Sequence, residues 1–311
     1  MAIEPTDNDA TWSSQLRMPA DKVRMLSTIA ENLRNVPNVV AVVLGGSYAL
    51  GLAGPNSDID IGVYYREASP FAIDEIRSVA ERISITGSTP TVTGLYGWGP
   101  WVNGGAWIRT ALGKVDFLYR NVDQIQTVIE EGHRGVWRHD YDQQPPYGFR
   151  SIVYFGETHN CVPLYDPDGQ IARLKQSVAE YPDVLKDRII QDSLWGAEFS
   201  FLFLRGFSAA GDPYNAVGCA TRIAQFLIHA LFALNRKYFA TDKYAACLVD
   251  QFALRPQDFT ARLARVLSSP GRESAELVSS AELLRALWLE TVDLTNGKYK
   301  PQFDLRNLAP E

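Results

Sequence analysis

Apolar and polar positions along this chain follow two regimes: short apolar runs broken by turns as far as about residue 121, and helical spacing beyond about residue 166. The run Val39-Val40-Ala41-Val42-Val43-Leu44 has the length and β-branched content of a buried strand, and it stops at Gly45-Gly46, so a strand is predicted over 39–45. The stretch Asp58-Ile59-Asp60-Ile61-Gly62-Val63-Tyr64-Tyr65 alternates as a strand does. It predicts a strand over 58–65 with Asp58 and Asp60 on one face and Ile59 and Ile61 in the core. Phe71, Ile73, Ile76, Val79 and Ile83 give residues 70–83 a helical stripe, with Asp74 and Glu75 in the early turns where acids suit the helix dipole. Asp21 suits the start of a helix over about 21–35, and the polar residues 1–20 are expected to fray. Thr91-Val92-Thr93 begins another strand, Gly94 to Gly105 reads as a loop, and a hairpin follows: Ala106 to Leu112, a turn at Gly113-Lys114, then Val115 to Asn121.

After the turn-rich stretch Val162 to Gly169 the pattern turns helical, with helices expected at about 168–179, 183–208, 214–239, 245–253, 257–267 and 272–295. The division is therefore placed at 165/166, giving a first domain over 1–165 and an all-helical domain over 166–311. Trp195, Phe199, Phe201 and Phe203 on the long apolar helices read as packing residues.

At 311 residues the chain has room for two domains with full cores, and 46% hydrophobic with 21% charged residues is the balance of a folded protein. Thirty Lys and Arg against 36 Asp and Glu give a net charge of −6, and no basic run occurs; both argue against a sequence-independent grip on long nucleic acid. Cys161, Cys219 and Cys247 are far apart and lack metal-ligand spacing, which fits a reducing cytoplasm. The start of the chain lacks a basic then apolar leader pattern, and neither export nor membrane insertion is expected.

The chemistry gathers around Gly45-Gly46-Ser47 and Asp58-Ile59-Asp60. Glycines let a phosphate approach the backbone, and Ser47 opens a short helix whose N–H groups would face that anion. Two carboxylates on one strand face repel unless a cation sits between them, and Mg²⁺ held by one or two carboxylates plus substrate phosphates is the common nucleotide arrangement. Taken singly, the glycines also describe a plain strand-to-helix turn, the Asp pair a charged edge strand, and Asp116 a solvated hairpin position.

Gly46-Ser47, ten intervening residues, then Asp58-Ile59-Asp60, with a third acid in Val115-Asp116-Phe117 on a later strand, resembles the nucleotidyltransferase superfamily of DNA polymerase beta and kanamycin nucleotidyltransferase. The resemblance spans about residues 39–121. It implies an α+β fold, with an N-terminal mixed-sheet nucleotidyltransferase domain followed by the all-α domain. It also implies Mg²⁺ (or Mn²⁺) as cofactor, ATP as co-substrate, and transfer of AMP or another NMP to a hydroxyl with release of pyrophosphate. The acceptor would be an antibiotic, tRNA or protein. Asp58 and Asp60 would hold metal, Asp116 would complete a second metal site or take the proton from the attacking hydroxyl, and Gly46 and Ser47 would hold phosphates.

Four further residues are candidates. With the turn at Gly113-Lys114, Arg109 faces Leu118 and lies diagonal to Asp116 on the same face, where it would hold a phosphate, order Asp116 or form a cross-strand ion pair. Lys243, in the polar stretch Leu234 to Lys243, resembles the helical-domain lysine that reaches the triphosphate in antibiotic nucleotidyltransferases, while cations after a helix also simply suit its C-terminus. Glu157 is a base candidate or a surface acid. Trp98, Trp101 and Trp107 are either core indoles or faces for stacking a base or sugar.

Two alternatives remain. Arg222 and His229, seven apart on one helix, resemble the loose Arg-His pattern of HEPN-type ribonucleases, which cleave RNA without metal, or form a charged pair within a helical core. A nucleotide-binding regulatory module that has lost turnover is the other.

Overall fold

The computed structural model describes residues 16–303 and Leu305, so most of the segment expected to fray lies outside the described residues. The first compact unit takes the described residues up to Glu130 and again His139–Glu180; the second takes Glu131–Arg138 and the chain from Tyr181 onward.

The first unit is built on a mixed sheet. Its elements are α1 (Ala20–Arg34), β1 (Ala41–Leu44), α2 (Gly46–Ala49), β2 (Ile59–Tyr65), α3 (Ile73–Ile83), β3 (Thr91–Val92), β4 (Gly105–Thr110), β5 (Gly113–Asn121) and α4 (Val122–His133, whose last residues belong to the second unit). After these come the short pair β6 (His139–Asp140) and β7 (Phe149–Arg150), then α5 (Ile152–Asn160), β8 (Val162–Tyr165) and α6 (Gln170–Ser177). The six-stranded sheet has the order β3-β4-β5-β2-β1-β8, and only β2 and β5 pair in parallel. Parallel neighbours need a crossover, which the excursion through α3, β3 and β4 provides.

One face of the sheet carries the core. Ile59, Ile61, Val63 and Tyr65 of β2 and Val115, Phe117 and Tyr119 of β5 pack with Leu26, Ile29 and Leu33 of α1 and with Ile76 and Val79 of α3. Period-two alternation then forces Asp60, Gly62 and Tyr64, with Asp116, Leu118 and Arg120, onto the opposite face.

The structure departs from the sequence expectations in several places. Val162–Tyr165, read as a turn, is an edge strand beside β1; Pro163 is tolerated there because an edge strand leaves one side of its backbone unpaired. The units part at Glu180/Tyr181, after α6, because the Arg66 guanidinium donates to Gln170 at 2.9 Å and Lys175 donates to the Cys161 carbonyl at 2.7 Å. Helices α4 and α5 were not expected; Asn121 caps the first through its Oδ1, which accepts from the Asp123 and Gln124 N–H groups. The hairpin turns at Ala111-Leu112 rather than Gly113-Lys114, because Gly113 (φ 117°) extends β5 and pairs with Thr110.

The second unit is helical: α7 (Asp183–Ala209), α8 (Pro213–Leu234), α9 (Ala245–Val249), α10 (Phe259–Ser268) and α11 (Ser274–Asp293). Asp212 caps α8 by accepting from the Asn215 N–H, with Pro213 at the first helical position. Helix α8 ends at Leu234, short of the expected 239, where Arg236 turns to a left-handed φ of 52°. It is long and apolar enough to cross a membrane, but 56% of its most apolar window is buried within the protein, as in a core helix.

Candidate active site

The acid cluster is assembled by the β2–β5 ladder. In parallel register Asp60 lies opposite Asp116, and Asp58 sits just before β2, with all three carboxylates half-buried. Burial and then the negative charge of Asp58 raise the Asp116 carboxyl above its ordinary value, while Lys114 pulls the other way.

The glycine turn is locked to this cluster. The Gly45 N–H donates to the Asp60 carbonyl at 2.8 Å, and Gly46 follows with φ +58°. A Cβ on residue 46 would lie 1.7 Å from Asp60 Oδ2, so only glycine lets the carboxylate lie against the turn. Helix α2 is a single turn of four residues, so the chance for an anion here lies in local N–H groups and the Ser47 hydroxyl more than in a helix dipole.

A residue that sequence reasoning missed ties the turn to the first acid. Lys22 of α1 is buried, and its ammonium donates to the Tyr48 hydroxyl at 2.8 Å and to the Ser57 carbonyl at 3.0 Å, immediately before Asp58. The signal was present: Lys22 occupies the same helix stripe as Leu26, Ile29 and Leu33, an uncommon place for a cation without a polar task.

Arg109 stands opposite Lys114 rather than Leu118. The register change is an even number of residues, so Arg109 keeps its place on the Asp116 face, diagonal to Asp116. It is exposed and lies on the β4 side of Asp116, whereas Asp60 and the glycine turn lie on the β2 side.

Glu157 is not placed to act as base. Both its oxygens accept from the Arg120 guanidinium at 2.8 Å, and Arg120, four residues along β5 from Asp116, is about 13 Å further up the strand at ~3.3 Å per residue. Burial works against the Arg120 charge, but the charge and hydrogen bonds of Glu157 overcome it and hold the guanidinium well above its usual value. Glu157 and Arg120 thus close the far end of the face whose near end carries the acids.

In the second unit, Lys243 lies in the irregular segment between α8 and α9, its ammonium 5.5 Å from the Tyr244 ring centroid. His229 is buried with its ring centroid 4.3 Å from that of Phe239 and 5.8 Å from that of Trp137, while Arg222 is exposed over Phe226. The pair does not share an accessible surface, which removes the geometric basis for the ribonuclease reading. Of the three loop tryptophans, Trp101 packs on Phe149 and Tyr154, whereas Trp98 stacks on Trp107, whose indole is outward.

Among the described residues no three His, Cys, Asp or Glu side chains are close enough to hold a metal by themselves. The charge of Asp58 is nevertheless felt at Asp116. These residues fit a hard divalent ion that draws its remaining oxygen ligands from substrate and water, as Mg²⁺ does.

The fold thus brings together a glycine turn closed on one strand acid and a second acid on the parallel neighbour. Residues 26–90, which include Gly46, Ser47, Asp58 and Asp60, match the nucleotidyltransferase domain family, and residues 154–245 match a domain of unknown function (DUF4037). The chain carries a nucleotidyltransferase domain and is an enzyme of the transferase class. Two solved structures are similar over most of the chain. A nucleotidyltransferase-like protein from Exiguobacterium sibiricum 255-15 shares 11% identity at a TM-score of 0.41, covering 88% of this chain and 77% of that one. An aminoglycoside 6-adenyltransferase from Bacillus subtilis shares 11% at 0.33, covering 91% and 93%. Neither likeness extends to individual residues, and no curated protein matches the chain.

Proposed function

We propose that this nucleotidyltransferase uses ATP and Mg²⁺ (or Mn²⁺) to move AMP onto a hydroxyl of an acceptor, releasing pyrophosphate. The observation that carries the reading is the opposition of Asp60 and Asp116 in the parallel ladder, with the Gly46 backbone pressed against the Asp60 carboxylate. Asp58 and Asp60 would hold the ion, which when bound supplies charge neutralisation for the phosphates. Backbone N–H groups of the Gly46-Ser47 turn and the Ser47 hydroxyl would orient the β- and γ-phosphates, placing the α-phosphorus over the acid face. The acceptor oxygen attacks that phosphorus, the bond to the oxygen bridging to the β-phosphate breaks, and the electron pair leaves with pyrophosphate. The hydroxyl proton passes to a carboxylate, for which Asp116 is the group on the acceptor side. Lys22 keeps the turn and Asp58 at fixed separation.

The test is incubation of purified protein with α-labelled ATP, Mg²⁺ and separate acceptor pools of aminoglycosides, tRNA and protein, following label transfer and pyrophosphate. The expected result is transfer to one pool that is lost in EDTA and in Asp60→Asn. Transfer that survives in Asp60→Asn, or RNA cleavage in EDTA that is lost in His229→Ala, would overturn the proposal.

A further inference from the structure

Strand β4 places Trp107 directly opposite Asp116, on the same sheet face, and leaves its side chain 55% exposed. An indole half in water forgoes roughly half its burial free energy, so its position beside the acids calls for an occupant. The indole is also braced. Trp98 stacks against it with ring centroids 5.0 Å apart and planes 25° from parallel. Trp98 can lie there because position 105 is glycine: a Cβ would stand 2.6 Å from Trp98 Cζ3. The loop that carries Trp98 is fixed by buried Asn103, which donates to the Pro100 carbonyl at 3.1 Å, and by Gln143, which donates to the Trp98 carbonyl. The result is a rigid two-ring platform, ordered before any ligand arrives.

Two pairs further along the same ladder, and so on the same face, Arg109 and Lys114 face each other, both exposed, and the Arg109 guanidinium makes no hydrogen bond or ion pair with any described residue. Asp116 thus has a flat apolar surface and the Arg109 cation on its β4 side, with Lys114 two residues before it on its own strand. The acids and glycine turn proposed to hold the triphosphate are on its β2 side.

We propose that the β4–β5 edge is the acceptor subsite, and that it takes a small hydroxyl-bearing ring compound with an anionic group, a sugar phosphate or nucleoside monophosphate rather than a polycationic amino sugar. The ring stacks on Trp107, the anion meets Arg109 and Lys114, and a hydroxyl is thereby brought to Asp116. This assignment rests on the reading of Asp116 as the acceptor-side carboxylate.

Isothermal titration calorimetry of the full chain with Mg²⁺ and a non-hydrolysable ATP analogue tests it, with uridine 5′-monophosphate, glucose 6-phosphate and kanamycin as probes. The expected result is saturable binding of at least one phosphate probe alongside the analogue, weakened tenfold or more in Trp107→Ala and in Arg109→Gln and largely retained in Trp107→Phe. Which phosphate binds distinguishes nucleotide from sugar acceptors. Binding of kanamycin alone, displacement of the phosphate probe by the analogue, or no binding of either phosphate overturns the subsite. Failure of the analogue itself to bind, with phosphate binding still sensitive to Trp107, would instead count against the nucleotidyl-transfer reading and leave the subsite standing.

Discussion

The Asp60 carboxylate occupies the space in which any residue but glycine at position 46 would carry its Cβ, 1.7 Å from Oδ2. Gly46→Ala is therefore expected to displace Asp60 or open the turn, and φ +58° adds strain of its own. Transfer should fall at least ~10²-fold, equivalent to about 2.7 kcal/mol of barrier. The Ala variant should also melt lower, and Asp60→Ala should recover part of that loss when combined with it. Simple additivity of the two substitutions in thermal melts would show that the clash is absent.

Asp58→Asn and Asp60→Asn should each abolish Mg²⁺-dependent transfer while leaving the circular dichroism spectrum unchanged. Because each removes charge from a repulsive cluster, the melting temperature without metal should hold or rise. Turnover within about tenfold of the parent in both variants would remove these acids from the site.

Lys22→Met leaves the Ser57 carbonyl and the Tyr48 hydroxyl without their buried donor. The expected cost is about 1–3 kcal/mol in urea unfolding, with a drop in kcat beyond what the unfolded fraction explains. An unchanged kcat in the folded fraction would make Lys22 structural only.

Glu157→Gln tests whether the Arg120 partner is a base. As a broken buried pair it should lose up to about 3–5 kcal/mol of stability, reduced by the 30% exposure of the Glu157 side chain. The shape of the pH–rate profile of the remaining folded enzyme should be unaltered. Loss of its acidic limb would restore Glu157 to the chemistry.

Burial pushes the Cys161 thiol up to about 11, whereas Cys247 is exposed. At pH 8 a disulfide reagent should therefore label Cys247 rapidly and Cys161 only on unfolding. The folded thiol holds its proton to higher pH than the unfolded one. Its contribution to stability is thus complete below the ordinary value of 9.0 and is lost as pH rises through about 11. Rapid labelling of Cys161 itself at pH 8, located by peptide mapping, would contradict the buried position.

The strand alternation around Asp58 and Asp60 was legible because one face is apolar without interruption, and a one-residue slip would expose Ile59 and Ile61. Arg109 kept its predicted face through a wrong turn for a related reason: the displacement was even. The bond between Glu157 and Arg120 was not legible, since it joins a helix to a strand 37 residues earlier and no local pattern encodes that approach. Helix α4 was legible and overlooked: Asn121 precedes apolar Val122, Ile125, Val128 and Ile129 at helical spacing. Strand β8 was hidden by its own proline and by a pairing partner at the other end of the unit.

The parallel pairing of β2 with β5 also bears on how such a chain can change over generations. Asp60 and Asp116 are held at their spacing by the ladder, whereas Trp98, Trp107 and Arg109 are carried on the excursion that joins the two strands. Lengthening or recasting that excursion leaves the alignment of Asp60 with Asp116 untouched. On the proposed reading, a lineage can exchange one clientele of acceptors for another by editing a single contiguous span of the gene, while the residues proposed to act on the triphosphate are inherited intact.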